Sequence, residues 1–348
     1  MLCAILMQPL VRWLKDKQIG QFIREEGPAS HSGKASTPTM GGLCFIFASS
    51  VSTLGWLHFL GAIEPGVLIV LLVAVLCGMI GLVDDLAKFR RKANRGLSAR
   101  LRLVLEACLG AFLGLFLMSS GEGARLYLTD FHLGMGVQAV MLSPVFYVLT
   151  ASFLMAATTN AVNLHDGMDG LAAGTAMQIL AVMAIILVGT GQWTLACLAA
   201  SGAGSVAAFL LFNRYPASIF MGDTGSLFIG GLMAGLAVAG GLELWFIPLA
   251  LIYIVETISV IAQVVYFKLT KDYKPNLPMS RLALLWLKLT KRLPGEGKRL
   301  LRMAPLHHHF ESLGADRGLA EWQVVTGFWL AQLVLCAIVL LVWVWTIA

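Results

Sequence analysis

The chain has 348 residues, of which 58% are hydrophobic and only 13% charged. Soluble domains carry roughly twice that charged fraction, so the composition excludes a soluble enzyme and points to an all-α polytopic membrane protein. The formal charge of +6 does not imply nucleic acid, because membrane proteins gather Lys and Arg in cytoplasmic loops.

The apolar runs lie near residues 1–14, 40–60, 66–83, 101–119, 138–157, 171–189, 194–212, 226–241, 245–267 and 324–347. They are continuous rather than alternating, so they read as helices and not as barrel strands. About ten transmembrane helices are expected. Nine approach the length of about 20 residues that a span needs. The first would cover only about 21 Å as a helix, so either the start is truncated or the segment is a partial span. If the chain alternates sides, 24 of the 25 Lys and Arg fall in one set of loops, and only Arg125 falls in the other. That asymmetry orients the first set toward the cytoplasm. No cleavable leader is read at the start. The six cysteines stand singly, without metal-ligand spacing, and read as small apolar residues.

The unusual polar motifs all fall in the cytoplasmic set. Before the second run come Lys34 and the stretch Thr37 to Gly42. Asp84 and Asp85 end the third run, with Lys88 after them. Asn160, Asn163, Asp166 and Asp169 follow the fifth run at a stride of three, interrupted by Gly167 and Gly170. A stride of three drifts around an α-helix, whereas a 3₁₀ turn or a loop keeps such groups on one side, and the two glycines favour the loop. Phe220 to Ser226 follow the seventh run, with Asp223 between Gly222 and Gly225.

The loop at 268–323 carries Met303 to Glu311, including His307, His308 and His309. The same loop holds a local duplication. Phe-Lys-Leu-Thr-Lys at 267–271 recurs as Leu-Lys-Leu-Thr-Lys at 287–291, and an amphipathic insertion over 272–290 is expected to lie on the membrane surface. A single integral membrane domain covers residues 1–348 in this reading.

Adjacent helical residues point about 100° apart, so Asp84 and Asp85 cannot form one clamp and are expected to divide two roles. The Asp223 loop suits a hard cation such as Mg²⁺, which is typically held by one or two carboxylates plus substrate phosphates. Three consecutive histidines do not share a helix face and do not meet zinc spacing, so they are better suited to phosphate oxygens. Polar motifs on one side only argue for an active site open to the cytoplasm. A transporter or flippase would also need polar groups along a route through the membrane. Carboxylates, basic groups and a hard cation at a membrane surface suggest phosphoryl transfer onto a lipid phosphate.

These motifs together resemble the phospho-N-acetylmuramoyl-pentapeptide transferases, from about Gln18 to the C-terminus. The Ala-Pro-Leu-His-His-His-Phe-Glu form at 304–311 separates this branch from the wider superfamily of polyprenyl-phosphate hexosamine-1-phosphate transferases. The resemblance implies transfer of phospho-MurNAc-pentapeptide from UDP-MurNAc-pentapeptide to undecaprenyl phosphate, giving lipid I and UMP in peptidoglycan synthesis. It implies ten spans, a multi-pass protein of the bacterial inner membrane, a homodimer, and Mg²⁺ with Asp223 as ligand.

By the same resemblance, Asp84, Asp85, Asp223 and His308 are catalytic. Asn163, Asp166, Asp169 and Phe220 line the nucleoside pocket, with Asn160 beside them. Lys34, Lys88, His307 and His309 steady phosphate oxygens. His165 stands where such proteins often carry Thr, and Arg100 and Arg102 stand near usual lysines. The same-class alternative is an N-acetylglucosamine-1-phosphate transferase.

Overall fold

A computed structural model describes residues 1–17, 37–91, 96–120, 125–128, 138–141, 143–273, 280–291 and 293–347. Lys34, assigned above to phosphate binding, lies outside the described residues. Among the described residues, thirteen helices account for nearly all regular structure, alongside one antiparallel hairpin of β1 (Arg125–Leu128) and β2 (Gln138–Met141). In chain order the helices are α1 (Leu2–Asp16), α2 (Gly42–Phe59), α3 (Pro65–Arg91), α4 (Ala99–Ser119), α5 (Pro144–His165), α6 (Leu171–Gly189) and α7 (Trp193–Asn213). They continue as α8 (Gly222–Ala239), α9 (Glu243–Leu249), α10 (Leu251–Leu269), α11 (Arg281–Thr290), α12 (Leu306–Asp316) and α13 (Glu321–Ile347).

Among the described residues nine helices are long and apolar enough to cross a bilayer. They correspond to nine of the ten predicted runs. The first run forms α1, only 15 residues long. The run predicted over 245–267 is broken: α9 ends at Leu249 and α10 begins at Leu251. Pro248 lies inside α9, and the break falls at Ala250, two residues after it.

The architecture is a bundle wrapped around α8. Every α8 residue from Thr224 to Val238 is buried. Small residues let neighbouring backbones approach it, as membrane helices require where water supplies no drive to associate. A Cβ added at Gly81 of α3 would sit 2.1 Å from the Asp223 carbonyl oxygen. One added at Gly42 of α2 would meet the Gly225 nitrogen at 2.4 Å, and one at Gly230 of α8 would meet Thr159 Cα at 2.5 Å. By contrast α10 and α13 present Ile258, Ile261, Leu330, Leu333 and Leu341 outward. In water such stripes would aggregate; in a bilayer they face lipid.

This packing sets the site. The N-terminus of α8, the C-terminal turns of α3 and α5, and the start of α4 converge at one end of the bundle.

Candidate active site

Asp85 explains why Asp223 is where it is. The first amides of a helix have no partner within the helix. Asp85 Oδ1 accepts from the Asp223 amide at 3.2 Å, and Oδ2 accepts from the Thr224 amide at 2.9 Å and the Thr224 hydroxyl at 2.7 Å. A carboxylate of α3 thus caps α8 from outside the helix, on the end where the macrodipole favours negative charge. Gly222 holds φ +72°, and a Cβ there would press Asp85 Oδ2 at 2.6 Å, so this corner needs glycine.

The Thr37–Gly42 motif braces the same corner by backbone pairing. Phe220 N–H donates to Pro38 at 2.8 Å, Gly41 N–H to Phe220 at 2.9 Å, and Gly42 N–H to Met221 at 3.1 Å.

Asp84 points elsewhere, as the 100° offset requires. It is 2% exposed and faces Lys88 one turn on, whose ammonium lies 2.7 Å from Asp84 Oδ2 and 2.8 Å from Asp223 Oδ2. Its other oxygen accepts from the Leu97 amide at 2.5 Å. Asp223 Oδ2 also faces the Arg102 guanidinium at 3.2 Å, and Oδ1 accepts from Asn163 at 2.8 Å. Arg102 donates on to Asn160 at 3.1 Å and Asn163 at 3.3 Å. Asn160 in turn donates to Glu106, whose side chain is fully buried.

Asp84, Lys88, Asp223, Arg102, Asn160 and Asn163 therefore form one polar network across α3, α4, α5 and α8. Arg102, expected at a phosphate contact by the resemblance, and Glu106, which no motif assigned to the site, both belong to this centre. Their signal was available: a basic and an acidic residue four apart at the start of an apolar run.

The Asn/Asp stretch is only partly the loop expected. Helix α5 runs through His165, so Asn160 and Asn163 are helical, three apart on a shared face. Only residues 166–170 form the turn, with Gly170 at φ +79°. The bond from the Asp166 amide to the Val162 carbonyl shows the helix continuing to its last turn.

Asp166 and Asp169 part company there. Asp169 is 3% exposed and is used as a latch: its Oδ2 accepts from Ala217 N–H at 3.0 Å, and its amide donates to Glu321 at 2.9 Å. Asp166 is partly buried, and burial first, then the carboxylates of Asp223, Asp85 and Asp169, push its pKa up to about 8. At neutral pH it carries a proton and is able to donate a hydrogen bond.

The three histidines lie on a helix, α12, not in a loop. They diverge as adjacent helical residues must. His307 is wholly buried; its amide donates to Glu256 at 3.1 Å, and its Nδ1 lies 3.3 Å from the same oxygen. Burial holds its pKa down at about 4, so it is a neutral imidazole. So placed, its ring faces Glu256. It packs over Gly167, where an added Cβ would sit 2.2 Å from its Nε2. His165, equally buried, lies 3.6 Å from the same Glu256 oxygen. Glu256 thereby ties α12 to the Asp166 turn. His308 remains partly exposed and pairs with Glu311 at 2.8 Å, while His309 Nδ1 accepts the Arg302 amide at 3.2 Å.

A family model described as Glycosyl transferase family 4 matches residues 67–241, the stretch that holds both the α3 acids and Asp223. Relatives that carry the name phospho-N-acetylmuramoyl-pentapeptide-transferase match along nearly the whole chain. Those of Geobacillus sp. (strain WCH70) and Bacillus pumilus (strain SAFR-032) are each 34% identical over 347 residues. That of Bacillus subtilis (strain 168) is 33% identical over 347 residues. Each alignment covers 99% of this chain and 95% of the relative. The chain belongs to the phospho-N-acetylmuramoyl-pentapeptide-transferase family. As a member of this transferase family it is a multi-pass membrane protein, and its polar network lies at the ends of the spans, not along a path between them.

Proposed function

We propose that this chain transfers phospho-MurNAc-pentapeptide from UDP-MurNAc-pentapeptide to undecaprenyl phosphate, releasing UMP and forming lipid I at the cytoplasmic face of a bacterial inner membrane. The observation that carries the reading is the position of Asp223. It is fixed by Asp85 behind it and surrounded by Lys88, Arg102 and Asn163 in front. The names of the relatives favour the MurNAc-pentapeptide substrate over the N-acetylglucosamine alternative. A flippase would need a route of polar groups through the spans, and Glu106 and Glu256 are the main ionisable residues that lie within the apolar runs.

The donor set at this site is hard. Asp84 and Asp223 already share one ammonium, so both carboxylates face a common cation position. That arrangement fits Mg²⁺, with Asp223 as principal ligand and Asp84 as second. When bound, the ion neutralises charge on the diphosphate. With the carboxylates on the ion, Lys88 and Arg102 would be available to phosphate oxygens, the ammonium as a point charge and the guanidinium as a fork.

The lipid phosphate is already a competent nucleophile, so direct attack on the sugar-linked phosphorus suffices, with UMP leaving. Asp84 orients or deprotonates that phosphate. Asp85 acts through Asp223 as a positioning residue. Asn163, protonated Asp166 and Phe220 recognise the uridine. His308 steadies the diphosphate from α12, and His309 lies beside it.

The test is UMP release from UDP-MurNAc-pentapeptide, with UDP-N-acetylglucosamine alongside, in detergent with undecaprenyl phosphate and Mg²⁺. Release from the first substrate alone is expected. Release from the second alone would move the chain to the other branch.

A further inference from the structure

The motif that the active site leaves unused is the duplicated Lys-Leu-Thr-Lys, and the structure gives it a reason. Lys268, at the end of α10, donates to the Leu289 carbonyl at 2.9 Å. Lys288, its counterpart in the second copy, donates to the Leu269 carbonyl at 2.9 Å. The exchange is reciprocal. Each lysine caps the other helix at its C-terminal end, where carbonyls lack partners and the dipole favours a cation. Lys288 also reaches the Lys271 carbonyl at 2.7 Å, and Lys271 reaches that of Leu293 at 2.6 Å. α11 is thus fastened to the end of a membrane-spanning helix by charged hydrogen bonds among described residues.

Fastened this way, α11 leaves a stripe uncovered. Leu282 is 81% exposed, Leu285 48% and Trp286 62%. They stand at i, i+3 and i+4, one helical face. None of α11 is buried by the rest of the protein. Around the stripe, Arg281, Lys291, Lys298 and Arg299 are exposed. Residues 268–302 contain ten Lys and Arg against two acids, Asp272 and Glu296. An apolar face with an indole, a basic surround, and attachment where a span ends are the marks of a helix lying in the interface plane.

We infer that α11 lies in the membrane–water interface, with Leu282, Leu285 and Trp286 in the acyl boundary and its basic surround on anionic phospholipid headgroups. The helix is an anchor built by duplication. It holds the segment leading to α12, and so the histidine helix, at a fixed height above the bilayer. This placement is independent of which substrate the active site takes.

The test uses the full chain in bilayer nanodiscs of phosphatidylcholine, with or without phosphatidylglycerol. The emission of Trp286 is isolated as the difference between the wild type and Trp286→Phe, so the other eight tryptophans cancel. Lipids brominated high on the acyl chain should remove most of the Trp286 signal, and more completely when phosphatidylglycerol is present. Leu282→Glu combined with Leu285→Glu should abolish that quenching without lowering thermal stability in detergent. Three outcomes would each overturn the inference. They are quenching by aqueous acrylamide but not by lipid, protection from both quenchers as a second copy or a protein partner would give, and equal lipid quenching with and without phosphatidylglycerol.

Discussion

At the scale of single residues, the adjacent acids Asp84 and Asp85 separate chemistry from scaffolding. Both oxygens of Asp85 are occupied by the α8 terminus, so Asp85→Ala should lower stability by at least about 2 kcal/mol, the cost of orphaning buried donors to a charged group. A thermal shift in detergent measures it. Unchanged stability with lost turnover would instead put Asp85 among the reacting groups.

Asp166 gives a pH signature. Its folded pKa, about 8, lies above the unfolded value for Asp, about 3.9. The favourable contribution is therefore complete below the unfolded value and is lost as pH rises through about 8. Uridine nucleotide binding should weaken across that same window in the wild type. In Asp166→Asn the alkaline limb should vanish; a limb that persists would assign it to another group.

The residues also show what a sequence makes visible. Asp84, Lys88, Asn163 and Asp223 were legible because polar groups beside apolar runs are costly without a task. Asp85, Asp169 and His307 carried the same signal, yet their side chains turn to amides and to Glu256. Which side of a helix a residue faces is decided by packing that no local pattern encodes. Glu256 stands alone as an acid in its apolar run, and only the fold reveals that it holds the start of α12.

At the scale of elements, the close approach of α3 to α8 carries the geometry. Gly81→Ala would drive a methyl into the Asp223 carbonyl, with backbone on the receiving side, so it should destabilise by about 1–3 kcal/mol and displace Asp223. Gly55→Ala in α2 is the matched control, because a Cβ there meets nothing within 4 Å. It should be neutral or stabilising by about 0.5–1 kcal/mol. Parallel melts of the two variants decide; equal losses would mean that α3 and α8 do not touch at Gly81. The nine spans were readable from apolar length alone. The break before α10 was not, because it falls at Ala250 inside a run whose composition stays apolar throughout. The helical placement of Asn160 and Asn163 was missed because the stride of three and the glycines after it suggested that the turn began earlier.

At the scale of the whole molecule, a bundle whose core is one apolar helix brings four separate helix ends to a common polar centre at a membrane surface. The distribution of Lys and Arg is the basis for the proposal that this surface faces the cytoplasm. A membrane-impermeant maleimide should therefore label Lys291→Cys in inside-out vesicles and leave it unlabelled in intact spheroplasts. The reverse pattern would invert the topology and place the polar centre on the wrong side for a cytoplasmic nucleotide sugar.

In the proposed reaction Asp223, with the groups gathered around it, is where the diphosphate reacts. The most direct measurement is UMP release by folded Asp223→Asn across a Mg²⁺ titration, set beside the wild type. Loss of a preorganised electrostatic group at the reacting centre should lower kcat by about 10²-fold or more and weaken the Mg²⁺ dependence. Turnover within a few-fold of wild type, with the same Mg²⁺ half-saturation, would contradict the account.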